Sequence, residues 1–286
     1  MGTIVRARNL TKRYGKFTAL DEVNFDVESG RIVGLIGPNG AGKTTALKAI
    51  LGLTSFGGEL SVMGLDPMKN RHKLMHEVSF IADVAVLPRW IRVWQAIDYV
   101  ENVHPGFSRQ RAMEFLSRTK IKHDSKVKHL SKGMTAQLHL ALVMAIDAKL
   151  LVLDEPTLGL DIIYRKEFYT TLLNDYFDEQ RTIIVTTHQV EEIEHILTDL
   201  MFIEDGNIVL DASMDDVQER FTELMTTNDM ADAARAMNPI HERSLFGKNI
   251  FLFDGADRQK LAEFGELHAP SVADLFVATM QGEQAA

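Results

Sequence analysis

The chain has 286 residues, 45% hydrophobic and 25% charged, which suits one large packed domain or two ordinary ones and excludes a disordered chain. Cysteine is absent, so disulfides and thiolate metal sites are excluded. The net charge of −9 argues against general affinity for nucleic acid, and no apolar run approaches the roughly 20 residues of a membrane helix.

The N-terminal part reads as β-rich, with apolar clusters at Ile4 to Asn9 and Phe25 to Val27 set between turn signals such as Glu28-Ser29-Gly30. Met1 to Leu10 carries Arg6 and Arg8 without an apolar block, so no secretory signal is expected. Arg31 to Ile36 predicts a buried strand. It runs straight into Gly37-Pro38-Asn39-Gly40-Ala41-Gly42-Lys43-Thr44-Thr45, which fits the phosphate-binding pattern G-x-x-x-x-G-K-[ST]. A helix is expected over Thr44 to Leu51, with Gly52 as its C-cap. Glycines let the backbone curl so that successive N–H groups face phosphate oxygens, and the helix adds its positive end. Lys43 supplies a point charge for the outer phosphates, and the Thr44 hydroxyl is placed to ligate Mg²⁺. This strand–loop–helix predicts a nucleoside triphosphate site in an α/β P-loop fold.

From about 84 to 135 the pattern turns helical, with Ile97 and Val100, then Ala112, Phe115 and Leu116, and with both tryptophans, Trp90 and Trp94. If that stretch is one helix, the tryptophans share a face, either as core or as the lining of a groove for a partner helix. Ser131 is a good N-cap for a helix running to about Ile146. Leu150 to Leu153 and Ile183 to Val185 are continuous apolar runs that suit parallel strands covered on both faces. The first ends in Asp154-Glu155, at the carboxyl end of a strand, where open α/β sheets bind ligands. Asp154 is expected to hold Mg²⁺ and Glu155 to polarise the attacking water. Asp205-Gly206, between Met201 to Glu204 and Asn207 to Leu210, signals a hairpin. The expected domains are 1–214 and a small α/β module over 215–286.

The order of these motifs resembles the ATP-binding subunit of ATP-binding cassette (ABC) transporters over residues 3 to 214. The family signature, usually Leu-Ser-Gly-Gly-Gln, matches Leu130-Ser131-Lys132-Gly133-Met134, and Thr157-Leu158-Gly159-Leu160-Asp161 resembles the D-loop. His188 stands where the family has its switch histidine, and Tyr14 where it has an aromatic that stacks on adenine. The resemblance implies an N-terminal antiparallel β subdomain, a RecA-like parallel core and a helical signature subdomain. It further implies ATP with Mg²⁺, and a head-to-tail homodimer or heterodimer in which Ser131 and Gly133 of one subunit contact the γ-phosphate held by the other. His188 would contact that phosphate and keep Glu155 and water in line. A separately encoded membrane permease would be the partner, with the chain on the inner face of the cell membrane. No nucleic-acid partner is expected. The family places Gln where this sequence has Asp83, which implies metal contact by a carboxylate and slower or more Mg²⁺-dependent turnover. Lys132 replaces a glycine and reads either as added positive charge near the partner's nucleotide or as a solvated lysine. The Ser-Lys-Gly-Met variant and Pro270 to Val277 resemble the bacitracin-export, ABC-2-type branch. The alternatives are a soluble ABC-type ATPase of DNA repair or translation and a regulatory nucleotide binder that does not hydrolyse.

Overall fold

The computed structural model describes residues 2–81 and 87–282. Two long strands open the chain, β1 (Thr3–Tyr14) and β2 (Phe17–Glu28), antiparallel across a turn at Gly15 whose φ of 60° suits glycine. β3 (Ile32–Ile36), helix α1 (Lys43–Ile50), β4 (Gly57–Val62), the one-turn helix α2 (Arg71–Leu74) and β5 (Val78–Ile81) follow. β4 pairs with the other side of β1, giving the three-stranded sheet β2-β1-β4. α1 ends where the sequence predicts: Leu51 closes the helix and Gly52, at φ 62°, takes the left-handed position after it. A Cβ on Gly52 would meet the Pro67 carbonyl oxygen at 2.3 Å, so the position admits no side chain.

The helical segment comprises α3 (Val93–Val103), α4 (Arg109–Ser117) and α5 (Lys132–Met144). Ser108 and Ser131 cap α4 and α5, each accepting a backbone N–H three residues on. Ile91, Val93, Ile97, Leu116, Val127 and Leu138 form the core between these helices. Truncating fully buried Leu138 to alanine would cost about 2–5 kcal/mol. Arg109 of α4 pairs with both Asp98 and Glu101 of α3. The tryptophans do not share a helical face: Trp90 lies in a turn before α3 and is 73% exposed, whereas Trp94 is half-buried on the first turn of the helix. Residues 84–86 of the expected insert lie outside the described residues.

β6 (Leu150–Asp154), α6 (Ile162–Thr171), β7 (Thr182–Thr187), β8 (Asp199–Glu204) and β9 (Asn207–Ser213) come next. The parallel strands stand in the order β5-β6-β7-β3, and every residue of β3, β6 and β7 is buried, as strands covered on both faces require. The Asp205-Gly206 turn has both central φ angles positive, 44° and 83°, as a two-residue hairpin of the right twist demands. Its tip is pinned beside the phosphate loop: the Gly206 N–H donates to the Ala41 carbonyl at 3.0 Å, and the Asp21 N–H donates to the Gly206 carbonyl at 2.9 Å.

The chain forms two compact units, Met1–His188 with Ile203–Ile208, and Gln189–Phe202 with Val209–Ala286. Where the sequence suggests a single cut at 214, the hairpin tip returns to the first unit between two stretches of the second. The second unit contains α7 (Met214–Arg220), β10 (Phe221–Thr226), α8 (Asn228–Arg235), β11 (His241–Leu245), β12 (Lys248–Asp254), α9 (Arg258–Leu261), β13 (Glu266–His268) and α10 (Val272–Gly282). Its four-stranded sheet is antiparallel in the order β11-β12-β10-β13, so β10 to β13 with α8 and α9 make a split βαββαβ motif. Leu224, Phe251 and Phe253 pack with Ala231, Ala234 and Leu261 on the helix-covered face. Ile250 and Leu252 are buried as well, and beside them Arg243 joins Glu223 to Asp274 of α10.

Candidate nucleotide-binding site

The phosphate loop owes its shape to close contacts that exclude side chains. A Cβ on Gly37 would stand 2.2 Å from the Ile203 carbonyl oxygen, and one on Gly42, at φ 115°, 2.5 Å from that of Ala19. The loop is therefore wedged between β2 and the hairpin tip, and only glycine fits at either end of the wedge. Lys43 is buried, and its Nζ donates to the carbonyls of Gly37 at 2.7 Å and Pro38 at 3.0 Å. An ammonium carries three donors, so these bonds leave capacity for a phosphate oxygen. Burial pushes the Lys43 ammonium below its ordinary value, opposed by the negative charges of Glu155 and Asp154.

Asp154 closes the far side. Thr44 Oγ1 donates to its Oδ2 at 2.9 Å and Thr186 Oγ1 to its Oδ1 at 2.6 Å. The carboxylate is buried, and these bonds offset the cost of holding it there. Glu155 follows with φ 48°, a left-handed conformation that L-residues adopt only when neighbours hold them, and its N–H donates to both the carbonyl and the hydroxyl of Thr186 at 3.2 Å. The turn swings the Glu155 side chain to His188, whose Nδ1 lies 2.9 Å from Oε2.

Lys43, Thr44, Asp154 and Glu155 line a cavity of about 300 Å³ with Tyr14, Phe17, Asn39, Gly40, Gly42 and Thr45, a volume at the lower end of small-ligand pockets. Tyr14 is half exposed at the rim, with the Lys12 ammonium 4.9 Å from its ring centroid. The donor chemistry fits Mg²⁺: the Thr44 hydroxyl and Asp154 carboxylate are hard oxygen donors. Among the described residues no cluster of three or more acidic, histidine or cysteine side chains could cage a metal.

The structure thus brings Tyr14, the 37–45 loop, Asp154, Glu155 and His188 together. It leaves Ser131 and Gly133 outside that cavity: Ser131 Oγ is engaged with the Met134 N–H at 3.1 Å as a helix cap, and Gly133 faces open space. Asp83 lies outside the described residues. Exposed Lys132 lines a second cavity of about 340 Å³ that also borders Glu155, Thr135 and His139. Two residues escaped sequence reasoning. Phe17 stands directly across the Gly15 turn from Tyr14, and the pairing of two aromatics about a glycine was the available signal. Thr186 faces Asp154 across parallel strands, a pairing with no local signature.

A buried lysine in a glycine loop, a hydroxyl bonded to an acidic strand end and a second carboxylate held by histidine define the class, a P-loop nucleoside triphosphatase. Residues 20–158 match the family described as ABC transporter. The chain is 32% identical over 216 residues to the lantibiotic transport ATP-binding protein SrtF of Streptococcus pyogenes, covering 74% of this chain and 92% of that one. It is 30% identical over 224 residues to the bacitracin transport ATP-binding protein BcrA of Bacillus licheniformis, covering 77% and 73%. A solved structure described as the ATP-binding subunit of an ABC transporter superposes with a TM-score of 0.68 at 25% identity, over 76% of this chain and 92% of that one. The chain belongs to the ABC transporter family, as one of its ATP-binding, ATP-hydrolysing subunits. No helix among the described residues is long and apolar enough to cross a membrane.

Proposed function

We propose that this chain is the motor of a transporter of the bacitracin-export-like branch, working as a head-to-tail dimer that closes on two ATP–Mg²⁺ and drives a separate membrane subunit. The observation that carries this reading is the bonded set Thr44–Asp154–Thr186 and Glu155–His188 at the mouth of the phosphate loop. The loop N–H groups and Lys43 bind the β- and γ-phosphates, and Tyr14 with Phe17 offers flat faces to the base. Thr44 and Asp154 would hold Mg²⁺, which when bound neutralises charge on the outer phosphates. Asp83 is assigned as a further metal contact. Glu155 accepts a proton from the attacking water as the water oxygen bonds in line to the γ-phosphorus and the bond from that phosphorus to the β–γ bridging oxygen breaks, releasing ADP and phosphate, and His188 fixes the carboxylate that receives the proton. Ser131 and Gly133 of the second subunit complete the site: in one chain Ser131 is exposed and a Cβ on Gly133 would meet open space, which supports a partner approaching from outside. Residues 1–214 act as the cassette and 215–286 as an accessory module. The membrane subunit is expected to bring the chain to the inner face of the cell membrane.

The test is Glu155→Gln at saturating ATP, followed by light scattering. An ATP-dependent dimer that does not decay supports the reading. A monomer under the same conditions, in the presence of the membrane subunit, overturns the shared site.

A further inference from the structure

One hydroxyl in the cradle touches both carboxylates through different atoms. Thr186 is fully buried on β7 and stands opposite Asp154 in the parallel register. Its Oγ1–H donates to Asp154 Oδ1 at 2.6 Å, while the same oxygen accepts the Glu155 N–H at 3.2 Å. A hydroxyl has one proton and two lone pairs, so giving the proton to Asp154 turns its lone pairs toward Glu155. The two contacts are therefore directionally coupled. Removing the hydroxyl would leave Asp154 Oδ1 without this donor in a buried place, and would leave the left-handed Glu155 peptide held by the Thr186 carbonyl alone of its two acceptors.

We propose that Thr186 is a positioning residue for catalysis: its hydroxyl aims the Asp154 carboxylate at the cation and sets the turn that carries Glu155 to the γ-phosphate. The proposal rests on the ATP–Mg²⁺ reading of the site. The side chain touches neither ligand and acts through two residues that do. Partners of metal-holding groups typically change metal affinity or activity by about 10–100-fold when removed.

The experiment compares the full chain with Thr186→Val, which keeps the shape without the hydroxyl, and Thr186→Ser, which keeps the hydroxyl. Binding of a non-hydrolysable ATP analogue is measured calorimetrically in EDTA and across a Mg²⁺ titration, beside steady-state ATPase. The valine variant should need about tenfold more Mg²⁺ for half-maximal Mg²⁺-dependent binding and lose about 10–100-fold in kcat. Its binding in EDTA should stay at the parent value, because Lys43 and the loop are untouched, and by linkage the weaker hold on Mg²⁺ should raise its Kd for the analogue at saturating Mg²⁺ by the same factor. Serine should restore both quantities. A valine variant with the parent's Mg²⁺ requirement and kcat overturns the proposal, as does a serine variant impaired like valine, which would assign the effect to packing. If the valine variant does not fold, Thr186→Ala against Thr186→Ser reads the same contrast, since both lack the methyl group. A parent chain that binds no nucleotide overturns the ATP reading and this proposal together. A parent that binds and hydrolyses, with the variants equal to it, overturns this proposal alone.

Discussion

The phosphate cradle and the start of α5 belong to the same compact unit but stand in opposite physical conditions. In the cradle Lys43, Asp154 and Thr186 are buried and bonded to other protein groups before any ligand arrives. At α5, Ser131 and Lys132 are exposed, and the Ser131 hydroxyl is engaged with its own helix. The ordering cost of the cradle is met by folding, so ligand binding there need not freeze side chains again. The α5 terminus instead presents its N-terminal turn and helix dipole outward, and under the proposed shared site its ligand would come from a second subunit. On the proposed reading, one half of the site is finished by the fold and the other awaits a second subunit.

Variants on the two halves test that contrast. Lys43→Ala strikes the finished half and should show the largest effect. Losing hydrogen bonds from a charged donor, worth about 1.5–3 kcal/mol each, weakens ATP binding by about 10–100-fold, and turnover falls with it. Equilibrium binding measures the first quantity, and an unchanged affinity would mean that the buried ammonium is structural. Ser131→Ala strikes the other half. It should lower stability by about 1 kcal/mol through loss of the cap, abolish cooperative turnover, and leave ATP affinity of the isolated monomer at the parent value. A fall in monomer affinity would erase the distinction between the halves. Gly133→Ala gives the smallest and sharpest test. The position is helical with open space around it, so alanine should stabilise the chain by up to about 1 kcal/mol. If this turn approaches a γ-phosphate closely, the same variant loses turnover, so a thermal melt and an ATPase assay should move in opposite directions.

What the sequence made legible was local. The loop at 37–45 is recognisable because its glycines answer to steric contacts at fixed spacing, and the Asp205-Gly206 hairpin because both positions need positive φ. Leu150 to Asp154 could be placed because a strand buried on both faces leaves a continuous apolar run. What stayed hidden depends on pairing across the chain. Thr186 matters through its register with Asp154, which is set by the sheet. Phe17 matters through the hairpin that returns it to Tyr14. The tryptophan spacing suggested one helix, but Pro88 and the turn that follows delay helix formation to Val93. The split βαββαβ order was equally hidden: β11 reads His-Glu-Arg-Ser-Leu, an exposed edge strand with little apolar signal.

The double crossing between the compact units has an evolutionary consequence. Leaving the first unit after His188, the chain builds part of the second, returns for Ile203–Ile208, and leaves again. Within the second unit the late residues reach back to the early ones: Phe276 stacks edge-on against buried Phe202, and the Val272 N–H donates to Glu194 at 3.1 Å. A stop codon near 214 would therefore do more than delete a tail. It would strand a core whose other half lies just downstream of His188, so a lineage could shed the module only by rewriting residues 189–202 in the same step.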